Sequence, residues 1–265
     1  MIDTPFTRKF GLKFPIALGP VPKYANGHLA AAVSEAGGLG LIGQTENAEK
    51  LAAEFASSAE VAVGCRIQCD SISDDPAKLQ VALKNRPRAV YLSDGDPRSV
   101  AETLRESKVP VMCEVQTLAD AQIAVEARAD VLVAKGTGSA DGPSPRTMFN
   151  LIPELADFIH QSADDTLLLA YGGVVDSRTL AAAIALGADG AVMATRLVVS
   201  EDSNMNESQI NKAVSSGGDD VIDQEVAWGQ GIGIIRDAPA VAKVLQTVSR
   251  RAELILSRTG RKIIR

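Results

Sequence analysis

A single (β/α)8 barrel, the TIM-barrel fold of the α/β class, is what this sequence predicts, and three observations predict it. Short β-branched or apolar runs alternate with Ala-rich helical stretches along the chain, a βαβα rhythm that implies a parallel sheet buried under helices. About eight candidate strands can be counted in the 265 residues, which matches a fold that closes with eight strands over typically ~250 residues. No Pro/Ser/Gly-rich linker breaks the rhythm before about residue 200. One domain over 1–265 is therefore expected, with a barrel core over about 11–200 and a C-terminal loop and helical extension over 201–265.

The candidate strands are Pro15–Gly19, Leu39–Gly43, Val61–Ile67, Ala89–Ser93, Val109–Val115, Val131–Lys135, Leu167–Tyr171 and Ala191–Thr195. Between them the pattern predicts helices near Asn26–Ala36, Asn47–Ser57, Pro76–Asn85, Pro97–Ser107, Leu118–Ala127, Arg146–His160 and Ser177–Leu186. Asn26 and Ser177 carry side chains able to cap, and Pro76 and Pro97 suit a first helical turn. Three helix-to-strand junctions read alike, at Ala36–Gly40, Ala127–Val131 and Leu186–Gly190, as though one supersecondary unit recurs. After Arg196 the pattern weakens: Ser200–Ser208 is polar and turn-like, Gly217–Asp220 is a loop, and Pro239–Ser257 is a helix that closes the domain. The basic tail Arg258–Arg265 reads as a solvated end.

Composition narrows the function classes. With 46% hydrophobic and 23% charged side chains the chain can build a sizeable core. A net charge of −6, with six Phe, three Tyr and one Trp, argues against nucleic acid as a partner, because phosphate backbones need a basic surface. No run approaches the roughly 20 apolar residues that cross a bilayer, and the N-terminus has no apolar signal core, so a cytoplasmic protein with no membrane partner is expected. Cys65, Cys69 and Cys113 fit reduced thiols better than a disulfide framework, and Cys65 with Cys69 are too few for a zinc site. The two histidines, His28 and His160, fall near helix ends where surface positions are expected, so neither metal nor histidine-based chemistry has material to work with.

In such a barrel the reactive groups sit at the C-terminal strand ends, and a phosphate is commonly held by the loops after the last two strands. Here those ends read Ala170-Tyr171-Gly172-Gly173-Val174 and Val192-Met193-Ala194-Thr195-Arg196. Two glycines let backbone N–H groups approach an anion, and Thr195 adds a hydroxyl, so a phosphate cup is expected; a plain tight turn is the alternative. Gly37–Gly40 terminates a helix and opens none onto a phosphate. Gly229–Gly233 lacks the strand and helix that a dinucleotide fingerprint needs, and reads as a loop over the barrel mouth.

Alternation puts Met112 and Glu114 on one face, and Val131, Val133 and Lys135 on one face of the next strand. Glu114 and Lys135 are therefore expected to meet at the mouth, either as a structural ion pair or as working groups. Arg66 and Gln68 end the third strand in a similar position. The loop Gly136–Pro143, with Ser139 and Asp141, is either a cover over a ligand or a surface turn.

With those strand ends in hand, the chain resembles the nitronate monooxygenase (2-nitropropane dioxygenase) family of FMN-dependent barrels. The resemblance rests on Gly11–Ile16, Leu29–Gly40, Ala170–Val174, Ala182–Gly190 and Met193–Leu197, with Asn211–Gln224 similar to the family's polar segment after the barrel. It implies an FMN cofactor, with Gly172, Gly173, Ala194 and Thr195 at its phosphate. It also implies the turn Gly19, Pro20 and Val21 beside its ring, and Arg66 and Lys135 at ring-contacting positions, where positive charge would stabilise an anionic reduced flavin. Glu114, Lys135, Ser139 and Asp141 are the residues expected to meet substrate.

The chain departs from the family pattern twice. It reads Leu18-Gly19-Pro20-Val21 where Ala-Pro-Met is usual, and Gly142 stands near the place of the family's basic histidine. A neutral nitroalkane needs a base to lose its α-proton, whereas an anionic nitronate has already lost it. The expectation is thus oxidation of a small organic substrate, a nitronate first, with O2 as electron acceptor. NAD(P)H-dependent reduction of an enoyl thioester or quinone is the alternative on the same scaffold. A flavin-free phosphosugar lyase or isomerase with Lys135 as Schiff-base amine and a non-catalytic flavin- or phosphate-binding barrel are further alternatives.

Overall fold

The computed structural model describes residues 2–139, 144–162, 165–220 and 228–263. Strand and helix alternate as the pattern predicts. A short helix α1 (Pro5–Phe10) precedes β1 (Ile16–Leu18), α2 (Gly27–Ala36), β2 (Leu41–Ile42), α3 (Ala48–Ser57), β3 (Gly64–Gln68), α4 (Ala77–Lys84) and β4 (Val90–Ser93). Then come α5 (Arg98–Glu106), β5 (Val111–Val115), α6 (Leu118–Glu126), β6 (Val131–Lys135), α7 (Met148–Ser162), β7 (Leu167–Tyr171), α8 (Ser177–Ala185) and β8 (Gly190–Met193). Helices α9 (Thr195–Val198), α10 (Glu207–Ser215) and α11 (Val241–Ile263) follow.

All pairings are parallel, in the order β1-β8-β7-β6-β5-β4-β3-β2. The cylinder closes through a single bridge, Ala17 opposite Leu39, where the Leu18 N–H donates to Leu39 O at 2.9 Å and the Leu39 N–H to Ile16 O at 3.0 Å. Because both faces of such a sheet are covered, its strands are mostly apolar and almost wholly buried. Phe6, on α1, has no exposed surface and lies under the start of β8, where a Cβ added at Gly190 would meet its ring at 3.1 Å. The N-terminal end of the barrel is thereby plugged, leaving the C-terminal end as the mouth.

Side-chain caps set most helix starts. Asn26 accepts from the Leu29 N–H, Asn47 from the Lys50 N–H, and Thr117 and Asp120 form a reciprocal capping box. At α8 the cap is Asp176, which accepts from the Arg178 and Thr179 amides at 3.0 and 2.9 Å, so Ser177 is the first helical residue instead. Thr195 opens α9 and does not end β8. Helix α10 lies where a polar loop was expected; only Ala213 of it is buried, which left little apolar period to read. The long α11 packs against α8 and α2, so it fills the eighth place in the helical ring. Its backbone runs on through Arg258 to Ile263, past the expected end at Ser257.

Candidate active site

The mouth has two dissimilar halves. The first lies at the ends of β7 and β8, where the backbone leaves the sheet through Gly172 and Gly173, both at positive φ (122° and 71°). A Cβ at Gly172 would sit 2.6 Å from the Gly136 carbonyl oxygen, so the residue is fixed by a close backbone approach as well as by its dihedral. Nothing lies within 4 Å of a Cβ built on Gly173, which faces open space. That space is a small cleft lined by Gly172, Gly173, Ala194 and Thr195, as expected, together with Gly138, Ser139, Gly229 and Gly231.

Among the described residues no charged side chain lines this cleft. Its polar groups are hydroxyls and main-chain amides, including those at the start of α9, which a helix cannot satisfy internally. The Gly229 N–H donates to Thr195 Oγ1 at 3.1 Å, so that hydroxyl keeps its own proton to donate elsewhere. The Gln230 N–H donates to Gly138 O at 3.3 Å. The glycine-rich segment 229–233 thus folds over the mouth as expected and supplies two lining residues that the sequence reading did not assign. A cup of neutral donors with no carboxylate among its described lining residues has the chemistry of an oxyanion or phosphate site.

The second half, at the ends of β3 to β6, is charged. Lys135 Nζ lies 3.1 Å from Glu114 Oε1, and the Tyr91 hydroxyl donates to Glu114 Oε2 at 2.7 Å. Glu114 and Lys135 therefore meet as alternation predicts, their side chains only 4% and 5% exposed. Beside them Arg66 donates through Nε to Ser93 Oγ at 2.7 Å, pairs with Asp94 at 3.0 Å and reaches the Pro20 carbonyl at 3.5 Å. Gln68 Nε2 and the Ser93 hydroxyl also donate to Asp94, each at 3.0 Å. Burial alone would raise the Asp94 pKa, but these hydrogen bonds, the Arg66 charge and Lys135 outweigh it and hold the carboxyl below its ordinary range.

The β1 turn bridges the two halves. The Gly19 N–H donates to Met193 O at 2.9 Å, and a Cβ there would meet the Ala194 side chain at 2.6 Å. Pro20 is tied to Arg66, and Val21 is buried, its N–H donating to Gly19 O at 2.8 Å. Ser139 stands in the wall of the neutral cup, its amide nitrogen 3.4 Å from the Cβ position of Gly172. Asp141 and Gly142 lie outside the described residues. Both histidines sit on the helical ring, exposed, on α2 and α7. The three cysteines are buried and free, with the Cys65 and Cys69 thiols pushed up to about 12 chiefly by burial, and Cys113 also raised. Among the described residues no cluster suits a metal ion, and no helix is long and apolar enough to cross a membrane.

Tyr91, Ser93 and Asp94 were not singled out from the sequence. Tyr91 and Ser93 share the inward face of β4 by alternation, a signal that could have found them. Asp94 sits one residue beyond the strand at φ 50°, where no period applies.

Residues 44–228 match the family model for nitronate monooxygenase. A nitronate monooxygenase of Pseudomonas aeruginosa is 30% identical, over 76% of this chain and 70% of that protein. One of Neurospora crassa is 28% identical, over 73% of this chain and 64% of the relative. The chain spans about three fifths of the length of the first curated relatives it matches. Among solved structures, FabK from Thermotoga maritima superposes with a TM-score of 0.90 over 99% of this chain and 100% of the other, at 22% identity, which shows the shared barrel. With most of the chain under one family model and a relative at 30% identity, the chain belongs to the nitronate monooxygenase family.

Proposed function

We propose that the protein is an FMN-dependent oxidoreductase that oxidises a small anionic organic substrate, a nitronate, with O2 as the electron acceptor. The observation that carries this reading is the neutral cup of Gly172, Gly173, Ala194 and Thr195 set beside a buried, charged half-mouth. The cup's amides and the Thr195 hydroxyl would hold the phosphate. The Gly19–Val21 turn, fixed to both halves, would border the ring. When bound, flavin supplies a two-electron acceptor that O2 can reoxidise.

The chain's own groups then have three tasks. Lys135, held by Glu114, and Arg66, held by Asp94 and Ser93, keep two cations at the mouth in a low-dielectric setting, where they favour negative charge. Tyr91 and Lys135 donate to the two carboxylate oxygens of Glu114, which fixes that carboxylate's orientation. No histidine is near, so proton abstraction from a neutral nitroalkane lacks its usual base, whereas a nitronate needs none. The same lack favours a second reading, reduction of an enoyl thioester or quinone by NAD(P)H, since a hydride donor also needs no base.

The visible spectrum of the purified protein, followed by release and identification of its chromophore, tests the cofactor. A yellow protein yielding FMN is expected; a colourless one that cannot be reconstituted refutes both readings. Aerobic turnover of alkyl nitronate but not of the parent nitroalkane separates the first reading from the second, for which anaerobic bleaching by NAD(P)H is the sign. Thr195→Val should lower flavin retention, and unchanged occupancy would refute the placement of the phosphate.

A further inference from the structure

We infer that a cleft on the outer side of the cup, between the start of α8, the segment from Ile234 to Pro239 and one face of α11, is a second ligand site that takes a phosphorylated purine nucleoside. The cleft measures about 410 Å3, within the roughly 300–1,000 Å3 of small-molecule sites. It shares Val175 with the cup, which places it next to the barrel mouth. The inference rests on the walls of this cleft and is independent of what fills the cup.

Charge is the first argument. Arg178, Arg196, Lys243 and Arg251 line the cleft against two carboxylates, Asp176 and Asp237. Arg178 pairs with Asp176 at 2.6 Å and Arg196 with Asp237 at 2.8 Å, which uses both acids. Lys243 and Arg251 pair with no carboxylate among the described residues. With Thr247 they stand four residues apart on α11, hence on one face, and all three border the cleft. The positive end of the α8 dipole points to the same space. In a chain of net charge −6, two uncompensated cations converging on a cavity favour an anion.

Shape and polarity supply the second argument. The remaining wall is aliphatic, formed by Ile234, Pro239, Val244 and Val248. Ile234 is 44% exposed there, one of three large apolar side chains left open among the described residues. An apolar wall facing a cationic rim suits a ligand with a flat, weakly polar ring at one end and phosphates at the other. Inorganic phosphate would leave the aliphatic wall uncovered. Two soluble carriers present this chemistry, the adenosine phosphate ends of NADPH and of coenzyme A.

The test uses the full chain as purified and isothermal titration with ADP, NADPH, coenzyme A and sodium phosphate in turn. One-to-one ADP binding is expected, weakened at least roughly tenfold in the double variant Lys243→Glu/Arg251→Glu. Both side chains are exposed, so the variant keeps the fold. Gly173→Ala, which alters the cup, should leave ADP affinity within about twofold. The tighter of NADPH and coenzyme A identifies the carrier, and either result supports the site. Undetectable ADP binding, ADP binding indifferent to the double variant but lost in Gly173→Ala, or sodium phosphate binding as tightly as ADP would each overturn it.

Discussion

The two halves of the mouth use opposite physics. At the ends of β7 and β8, recognition is entrusted to the main chain: glycines, amides and a hydroxyl, with no charge among the described lining residues. At the ends of β3 to β6 it is entrusted to charged side chains: Lys135 and Glu114 are drawn out of water together, and the buried Arg66 pairs with the partly exposed Asp94. A main-chain cup needs little from its neighbours beyond their keeping out of the way. A buried charge needs a partner, and losing that partner costs more than the pair contributes to stability.

The largest expected effect follows from that asymmetry. Glu114→Ala leaves Lys135 buried without its carboxylate and Tyr91 without its acceptor, and should destabilise the fold by about 3–5 kcal/mol, read from the urea midpoint. Combining Glu114→Leu with Lys135→Met should recover most of the loss. If the single variant is near wild type, the charged half is solvated in a way the structure does not show.

On the neutral side the two glycines should separate. Gly172→Ala must resolve a 2.6 Å approach to Gly136 O at φ 122°, a strain of about 1–3 kcal/mol. Gly173→Ala meets nothing within 4 Å, so only its left-handed dihedral matters, roughly 1–2 kcal/mol. Its methyl would enter the space that the cup leaves for a guest. Thermal melts should therefore rank Gly172→Ala as the less stable, while flavin occupancy should fall in both.

The smallest effect is electrostatic and tied to pH. Asp94 is held below its ordinary pKa, so its stabilising contribution is fully present above the unfolded value of about 3.9 and is lost as pH falls through the lower folded value. Its side chain is 43% exposed, and screening keeps the contribution under about 1 kcal/mol. Asp94→Asn should lower neutral-pH stability by less than about 1 kcal/mol and flatten acid unfolding below pH ~4; equal acid sensitivity in both proteins would sink the assignment.

The same contrast governs what the sequence made legible. Strands Val131–Lys135 and Leu167–Tyr171 match their expected bounds because continuous apolar runs between helices announce themselves. Gly172, Gly173 and Thr195 were legible since a main-chain cup is a local motif. Period two also brought Glu114 opposite Lys135. The partners that complete the charged half went unread: Tyr91 lies 23 residues from Glu114, where alternation alone could have placed it inward, and Asp94 lies 28 from Arg66 and past the end of its strand, where no period applies. Gly229 and Gly231 were hidden for the same reason, reaching the cup from beyond the eighth strand. Ser177 misread as the cap of α8 is a smaller case, in which an adjacent Asp offered the better acceptor.

The seam between β1 and β2 carries a consequence of its own. Every other neighbouring pair of strands shares at least two register positions, whereas this one is held by Ala17 opposite Leu39 alone. Sheet opening should begin there, so the amides of Leu18 and Leu39 should exchange with deuterium ahead of those in β6 and β7. Because Gly19–Val21 continue from that seam into the rim, the most easily loosened stave of the cylinder is also the one that borders its entrance.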